Sequence, residues 1–304
     1  MRVFITGATG FVGSAVTQEL LAHGHTVLGL SRNEANAKAL VAAGAEAHPG
    51  SLDDLESLRS GAASCDGTIH CAFKHDFTDF QASCDTDRIA VQTIGDVYVG
   101  TNKPFVVTSG TMGLSSSGIA TVATEDDASV PEGMLAMRKA TETLAVAFSE
   151  RGVRSMAIRL PPTVHGPGDK GFVAMLITSA RKNGFSAYID EGASRWPAVF
   201  RLDAAQLYRL ALEKGKAGVR YHATGDQGVP TKEIAEAIGK GLSVPVVSKT
   251  KEEAGAVFGF LGFVLPRDNP TSSEKTRKEL GWAPVGPGLI ADLAEGHYFD
   301  ESAK

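Results

Sequence analysis

Short apolar runs alternate with amphipathic segments along the first half of the chain. The runs predict buried strands, and apolar residues recur at helical spacing between them. The predicted strands are Val3–Thr6, Thr26–Leu30, Ala45–His48, Thr68–Cys71, Phe105–Ser109 and Ser155–Arg159. The predicted helices are Phe11–Ala22, Glu34–Ala43, Asp53–Ala62, Phe80–Val99 and Met134–Arg151. This alternation predicts an α/β fold with a doubly wound parallel sheet, which binds ligands outside the carboxyl ends of its strands.

The pattern becomes less regular after residue 160, where prolines and glycines separate shorter elements. Predicted helices at Ala204–Lys214 and Lys232–Gly241 flank a predicted strand at Val219–His222. We therefore predict a main domain over residues 1–160 and a small C-terminal lobe over residues 161–304 that is partly interleaved with it.

Composition and charge narrow the class of protein. The chain has 304 residues, 43% of them hydrophobic and 21% charged, which is typical of a globular protein. A net charge of −5 provides no basic face for nucleic acid, and we find neither a transmembrane stretch nor a cleavable signal. An odd number of cysteines without a CxxC pair (Cys65, Cys71, Cys84) indicates reduced thiols. We expect a cytoplasmic protein with no nucleic-acid or membrane partner.

Glycine recurs at three positions between the first predicted strand and the first predicted helix. Gly7 permits a tight turn, Gly10 lets the backbone approach a pyrophosphate, and Gly13 lets the helix pack on the strand. A diphosphate at that helix N-terminus meets free N–H groups and the positive end of the helix dipole. The turn therefore predicts a dinucleotide site, whose cofactor-binding residues are Gly7, Thr9, Gly10, Phe11, Val12 and Gly13.

The end of the second predicted strand indicates which dinucleotide binds. A carboxylate here would bind the ribose 2′-hydroxyl of NAD, but the sequence reads Gly29-Leu30-Ser31-Arg32-Asn33. Ser31 and Arg32 suit the 2′-phosphate of NADP(H), so we expect it in preference to NAD(H); a solvated Arg32 is the alternative. After the third strand, Leu52 and Asp53 are expected near the adenine, although Asp53 could instead cap the next helix.

Several segments together resemble the extended and atypical short-chain dehydrogenase/reductase families, which include NAD-dependent epimerases and dehydratases. They are TGATGFVG at 6–13, SLDD at 51–54, IHCAF at 69–73, VVTSG at 106–110, PPTVHGPGD at 161–169 and the WP…RLDAA stretch at 196–205. The resemblance implies a Rossmann sheet with a small C-terminal lobe that caps a small-molecule substrate. It is also compatible with a homodimer formed through the fourth and fifth helices.

The resemblance further implies roles for residues at the strand ends. Cys71, Ala72 and Phe73 would border the cofactor after the fourth strand, and Pro161, Thr163 and Val164 would border the nicotinamide after the sixth. The family's substrate-polarising hydroxyl maps to the end of the fifth strand, which offers Thr108, Ser109 and Thr111. We expect Ser109 in this role, with Thr111 as the next choice and Thr108 beside the cofactor.

The family's proton donor is a tyrosine four residues before a lysine at the start of the fifth helix. If Lys139 is that lysine, Leu135 occupies the tyrosine position, and leucine cannot transfer a proton. Lys139, or Arg138 in its place, is expected at the cofactor ribose; solvated helix charges are the alternative. His165 and His75 are the candidate replacement acids, although a loop histidine often has only a structural role.

These expectations combine into a predicted oxidoreductase. It would use NADPH to reduce a small, fairly apolar carbonyl or imine without the usual tyrosine, with a reacting centre of Ser109, Thr111, Lys139 and His165. Two alternatives remain open. One is a non-catalytic NADP(H)-binding protein that senses redox state; the other is a sugar-nucleotide epimerase or dehydratase. For the latter, the candidate diphosphate ligands are Arg195, Arg201 and Arg209.

Overall fold

The computed structural model describes residues 1–75, 78–115, 121–129 and 134–300, with backbone alone at 134–136. The strands are β1 (Arg2–Thr6), β2 (Thr26–Ser31), β3 (Glu46–Pro49), β4 (Gly67–His70), β5 (Pro104–Gly110), β6 (Arg154–Leu160), β7 (Thr163–His165), β8 (Ser186–Ile189), β9 (Arg195–Phe200), β10 (Arg220–His222), β11 (Asp226–Pro230) and β12 (Val246–Lys249). The helices are α1 (Phe11–Ala22), α2 (Glu34–Ala42), α3 (Leu55–Ala63), α4 (Phe80–Tyr98), α5 (Met134–Ala147), α6 (Phe172–Asn183), α7 (Arg201–Lys214), α8 (Thr231–Leu242), α9 (Lys251–Phe258), α10 (Leu261–Val264), α11 (Glu274–Leu280) and α12 (Leu289–Ala294).

A seven-stranded sheet forms the centre of the molecule, in the order β10-β6-β5-β4-β1-β2-β3. All of its neighbouring strands pair in parallel. From the boundary between β1 and β4, the strand order proceeds through β2 and β3 toward one edge of the sheet and through β5 and β6 toward the other. This boundary is the switch point where doubly wound folds bind ligands. The predicted α/β fold class is confirmed.

Helices cover both faces of this sheet. α1 and α7 pack with one face, and α3, α4 and α5 pack with the other. The central strands are therefore buried on both sides, and Phe4, Ile5 and Val106 have no exposed surface. Continuous apolar runs are what parallel strands in this position require, which explains why they were visible in the sequence.

The remaining strands form two small sheets, β11-β9-β7 and β12-β8. A separate apolar cluster connects them with α6, α8, α9 and α12. β10 comes from the same half of the chain but lies at the edge of the central sheet beside β6. No helix in the described part of the chain is long and apolar enough to cross a membrane.

The boundaries of two predicted helices need correction. α3 begins at Leu55, and its N-cap is Asp54, whose carboxylate accepts a hydrogen bond from the Ser57 amide. Asp53 instead forms an ion pair with Lys74 at 2.6 Å, so it is not the cap. α5 ends at Ala147, and a 3-10 turn over Phe148–Arg151 completes the segment that we expected to be one helix.

Candidate active site

The glycine-rich turn between β1 and α1 has the geometry that a bound diphosphate requires. Gly7 has a φ of +71°, and a Cβ there would lie 2.7 Å from the Ala72 amide nitrogen. A Cβ on Gly13 would lie 2.1 Å from the Gly7 carbonyl oxygen. Gly10 is the N-cap of α1 and has no side chain that could accept a hydrogen bond from the helix, and no acidic residue occupies the first turn. Among the described residues, no side chain caps the amino end of α1, which suits an anionic group.

The segment after β4 lies against this turn. The Ala72 amide donates to Thr6 Oγ1 at 3.3 Å, so Ala72 adjoins both Gly7 and the end of β1. Burial raises the pKa of the Cys71 thiol to about 12, although its interactions with the Thr108 and Tyr208 hydroxyls oppose the shift. Cys71 is therefore a neutral packing residue beside the turn.

An open pocket of about 430 Å³ lies at the carboxyl ends of β2 and β3. Its lining residues are Ser31, Arg32, Asn33, Glu34, Ala37, Pro49, Gly50, Ser51 and Asp54. Arg32 is exposed and has no ion-pair partner among the described residues. Leu52 instead belongs to the core, with 8% of its surface exposed. Pro49, Gly50 and Ser51 were missed by the sequence reasoning, because a short irregular turn carries no periodic signal.

The three hydroxyls of β5 and the residue after it all have partners inside the protein. Ser109 donates to Glu142 Oε2 at 2.6 Å, and Thr111 donates to Asn269 Oδ1 at 2.7 Å. Thr108 Oγ1 donates to the His70 carbonyl oxygen at 2.7 Å. Ser109 and Thr111 are also buried, with 9% and 0% of their surfaces exposed. In this arrangement neither has a proton to donate to a substrate carbonyl.

The start of α5 presents Arg138, not Lys139, to the sheet edge. Lys139 is exposed, whereas Arg138 Nη1 binds Asp87 Oδ2 at 2.7 Å. The Arg138 guanidinium also lies over the Phe73 ring, 4.1 Å from its centroid. The side chain of Leu135 lies outside the described residues, so the missing tyrosine remains a sequence prediction.

Arg138 belongs to a buried polar chain that crosses the switch point. His70 Nε2 lies 3.1 Å from Asp87 Oδ1, and His70 Nδ1 lies 2.8 Å from Thr6 Oγ1. Burial would raise the pKa of Asp87, but the Arg138 cation and the His70 hydrogen bond outweigh it and lower the pKa. The sequence reasoning missed Asp87. The sequence did contain a signal for Asp87. This carboxylate recurs at helical spacing with the buried residues of α4, which include Cys84, Val91 and Ile94.

The two candidate histidines lie in different environments. His165 has no exposed surface, and its Nδ1 lies 2.9 Å from Asp292 Oδ2 on α12. His75 is exposed, and its ring packs edge-on against Phe73 with centroids 5.3 Å apart. Partial burial and the nearby Arg138 cation lower the pKa of His75. The structure thus places His75 beside Arg138 and encloses His165 in a separate buried pair.

The segment after β6 is mostly enclosed. Pro161 and Thr163 are buried, and Val164 is partly buried against the core cluster that includes α1 and α7. Thr163 Oγ1 has no hydrogen-bond partner among the described residues.

Asp203, near the start of α7, accepts hydrogen bonds from the Val285 and Gly286 amides. These bonds fix the start of α7 to the C-terminal segment.

The three C-terminal arginines do not act as one diphosphate site. Arg195 binds Asp268 at 2.7 Å, and Arg209 binds Glu19 at 2.7 Å. Arg201 has no carboxylate partner among the described residues, and its guanidinium lies 4.9 Å from the centroid of the Phe11 ring. Two of the three arginines that supported the sugar-nucleotide alternative are therefore already engaged in ion pairs.

Comparison with known proteins places this fold and turn in a family. A model described as the NAD dependent epimerase/dehydratase family matches residues 3–224. The chain belongs to this family. The predicted relation to the extended short-chain dehydrogenases/reductases is confirmed, and the chain is an NAD(P)-dependent oxidoreductase of this group.

Individual proteins are similar to the chain over nearly its whole length. An uncharacterized protein of Schizosaccharomyces pombe is 49% identical over 98% of this chain and 100% of its own length. A ketoreductase of Stigmatella aurantiaca, named for a farnesyl dihydroquinoline oxide, is 23% identical over 93% of this chain and 92% of its own. The crystal structure of DesIV, a dTDP-glucose 4,6-dehydratase from Streptomyces venezuelae, superimposes with a TM-score of 0.79 at 20% identity, covering 100% of both chains. This last similarity concerns the fold alone.

Proposed function

We propose that this enzyme is an NADPH-dependent reductase that transfers hydride to a small, fairly apolar carbonyl or imine. The observation that carries the choice of NADPH is Arg32, an exposed guanidinium without an ion-pair partner in the described structure, on the pocket beyond β2. A planar guanidinium binds a phosphate through two parallel hydrogen bonds. Folds that bind NAD carry a carboxylate at this position, so a guanidinium without an ion-pair partner in the described structure favours a cofactor with a 2′-phosphate.

The residues of this chain would bind the dinucleotide along the switch point. Gly7, Gly10 and Gly13 leave space for the diphosphate, and Ser31 and Arg32 lie at the adenosine end. Ala72 and Phe73, which follow β4, would border the cofactor. The bound cofactor supplies the hydride, and the protein supplies position and charge.

Arg138 is the residue we assign to polarisation of the substrate. Its side chain is 24% exposed, Asp87 holds one edge of its guanidinium, and Phe73 fixes its plane. A fixed cation at the carboxyl end of β5 stabilises the negative charge that develops on a carbonyl oxygen as hydride arrives. We do not assign this role to Ser109 or Thr111, because both donate their protons to buried acceptors.

His75 is the residue we assign to proton delivery. Carbonyl reduction needs one proton for the new alcohol, and an exposed imidazole beside Arg138 and Phe73 can pass one from solvent. The enclosed His165 pair lacks such a route in the described structure. Phe73 also makes this side of the site apolar, which supports a substrate of low polarity.

One observation supports a second function. With Ser109 and Thr111 engaged and leucine expected at the tyrosine position, the site also fits an NADP(H)-binding protein that senses redox state without turnover. Such a protein would bind oxidised and reduced cofactor with different affinities and would not consume either.

A binding and turnover experiment separates the two functions. The dissociation constants of NADPH, NADP⁺ and NADH are measured by titration calorimetry, and NADPH oxidation is followed with a panel of ketones, aldehydes and imines. We expect NADPH to bind at least about tenfold more tightly than NADH, the value of one charge-assisted hydrogen bond, and at least one panel member to be reduced. Tight NADPH binding with no turnover across the panel would contradict the reductase and favour the sensor.

A further inference from the structure

Arg201 opens α7 and lies against the first turn of α1. Its guanidinium is 4.9 Å from the centroid of the Phe11 ring, and Phe11 is the first residue of α1. Nη1 donates to the Pro167 carbonyl oxygen at 3.3 Å, and Nη2 lies 3.5 Å from Ser14 Oγ. Arg201 therefore connects the glycine-rich turn to the loop that follows β7.

The electrostatic surroundings of Arg201 are unfavourable for a cation. Burial lowers the pKa of its guanidinium, and its Nε is buried without a hydrogen-bond partner among the described residues. The positive ends of two helices meet here, because Arg201 begins α7 and lies beside the amino end of α1. A partly desolvated cation in this position needs an anion close by to offset the cost of its burial.

Two acidic residues that lie close in the chain to Arg201 and to its contact Pro167 are already engaged. Both carboxylate oxygens of Asp203 accept amide hydrogen bonds from Val285 and Gly286. Asp169 binds the Gly171 amide and the Tyr298 hydroxyl. No carboxylate of the described residues pairs with Arg201, which leaves its charge available to a bound anion.

We propose that Arg201 is a further ligand of the dinucleotide's diphosphate, beside the glycine-rich turn. This inference rests on the proposed function, since it concerns the same cofactor. The turn excludes side chains at Gly7 and Gly13 and has no side-chain cap, so the diphosphate would lie beside Phe11 and within reach of a guanidinium on its ring. Because Arg201 also binds Pro167, cofactor binding is coupled to the position of the loop containing Gly166 and Gly168.

Binding measurements with cofactor fragments test this role. Dissociation constants of NADPH, NADH and adenosine 2′-monophosphate are measured for the wild type, Arg201→Gln and Arg32→Gln. We expect Arg201→Gln to weaken both dinucleotides by about tenfold and to leave adenosine 2′-monophosphate, which has no diphosphate, within twofold. Arg32→Gln should show the complementary pattern, weakening NADPH and adenosine 2′-monophosphate but not NADH.

The possible outcomes distinguish the inference from the proposed function. A wild type that binds no dinucleotide would overturn both, whereas tight wild-type binding that Arg201→Gln leaves unchanged would overturn only the role of Arg201. Uridine diphosphate is also titrated into NADPH-saturated protein; binding that depends on Arg201, with NADPH affinity unaltered, would assign the residue to a nucleotide substrate and overturn the inference. If Arg201→Gln does not fold, Arg201→Lys keeps the charge but loses the planar fork, and we expect it to weaken both dinucleotides at least threefold. Unchanged dinucleotide binding by this lysine variant would then overturn the inference.

Discussion

Arg159 binds both carboxylate oxygens of Glu142, with Nε 3.0 Å from Oε2 and Nη2 2.7 Å from Oε1. The two side chains are 0% and 4% exposed, so the ion pair is buried between β6 and α5. Ser109 and Arg220 donate to the same carboxylate and bring β5 and β10 into the network. This pair therefore stabilises the sheet edge at which the candidate active site lies, and it engages the hydroxyl that sequence resemblance assigns to catalysis.

The engagement of Ser109 predicts that its removal affects stability more than catalysis. In Ser109→Ala, Glu142 loses one of the four hydrogen bonds that the described residues donate to it, so we expect the free energy of unfolding to fall by about 1 to 3 kcal/mol. The kcat/KM for reduction should change less than about threefold, which corresponds to under 1 kcal/mol of transition-state stabilisation. Urea denaturation and steady-state kinetics measure the two effects. A loss of kcat/KM of a hundredfold at unchanged stability would instead return Ser109 to the reacting centre.

The same network predicts a loss of stability in acid. Burial raises the pKa of Glu142, but Arg159, Ser109 and Arg220 outweigh it and lower the pKa from 4.5 to about 2. A carboxylate with a depressed folded-state pKa stabilises the protein above its unfolded value, and this contribution disappears as the pH falls from about 4.5 to 2. The shift corresponds to about 3 kcal/mol.

Urea denaturation at several pH values checks the contribution of Glu142. Glu142→Gln should lower the unfolding free energy at pH 7 by about 3 to 5 kcal/mol, because it leaves Arg159 buried without a counter-charge, and should flatten the acid dependence. Glu236→Gln, at an exposed position on α8, is the matched control and should behave like the wild type. An acid dependence in Glu142→Gln equal to that of the wild type would contradict the assignment.

Two adjacent residues of α5 give a sharp test of the reacting centre. Arg138 contacts Asp87 and Phe73, whereas Lys139 is exposed. We expect Arg138→Leu to lower kcat/KM by about a hundredfold or more, the usual effect of losing a charge-stabilising donor, while Lys139→Leu stays within about threefold. Steady-state kinetics and the NADPH dissociation constant are measured for both variants. A large loss in Lys139→Leu alone would restore the lysine to the role that the sequence indicated.

The choice of cofactor is predicted to depend on Arg32. Arg32→Gln should raise the dissociation constant of NADPH by about ten- to a hundredfold, because a charge-assisted contact with the 2′-phosphate is lost, and should leave that of NADH nearly unchanged. Lys38→Gln is a matched control, since Lys38 is an exposed cation on α2 that pairs with Glu34. Equal weakening of both dinucleotides by Arg32→Gln would be incompatible with a 2′-phosphate contact.

Substitution of His165 and substitution of His75 are predicted to change different properties of the enzyme. His165→Gln disrupts a buried pair with Asp292, so it should lower stability by about 1 to 3 kcal/mol with little change in the pH profile of kcat/KM. His75→Gln should leave stability nearly unchanged but lower kcat/KM and remove a titration below pH 6.5, where partial burial and Arg138 place the pKa of His75. A pH profile altered by His165→Gln and not by His75→Gln would reverse these assignments.

Most of the central sheet and its helices could be predicted from local patterns, whereas the small sheets β11-β9-β7 and β12-β8 were not predicted. α1 has the predicted bounds of Phe11–Ala22, and each of the six strands predicted in the first half is present to within two residues at either end. The glycine-rich turn was equally visible, because Gly7, Gly10 and Gly13 are required by backbone geometry within a few residues of one another. Burial periodicity and close backbone approach are written into neighbouring positions, so the sequence by itself determined the central architecture and the position of the turn.

The partners of the candidate catalytic groups were decided by tertiary structure alone. Thr111 donates to Asn269, 158 residues away, and His165 pairs with Asp292, 127 residues away. The orientation of Arg138 toward Asp87 and of Lys139 toward solvent depends on how α5 packs against α4, which no spacing within α5 reveals. A hydroxyl or an imidazole in the sequence shows what chemistry is available. Whether its proton is free depends on acceptors that only folding of distant segments brings within about 3 Å.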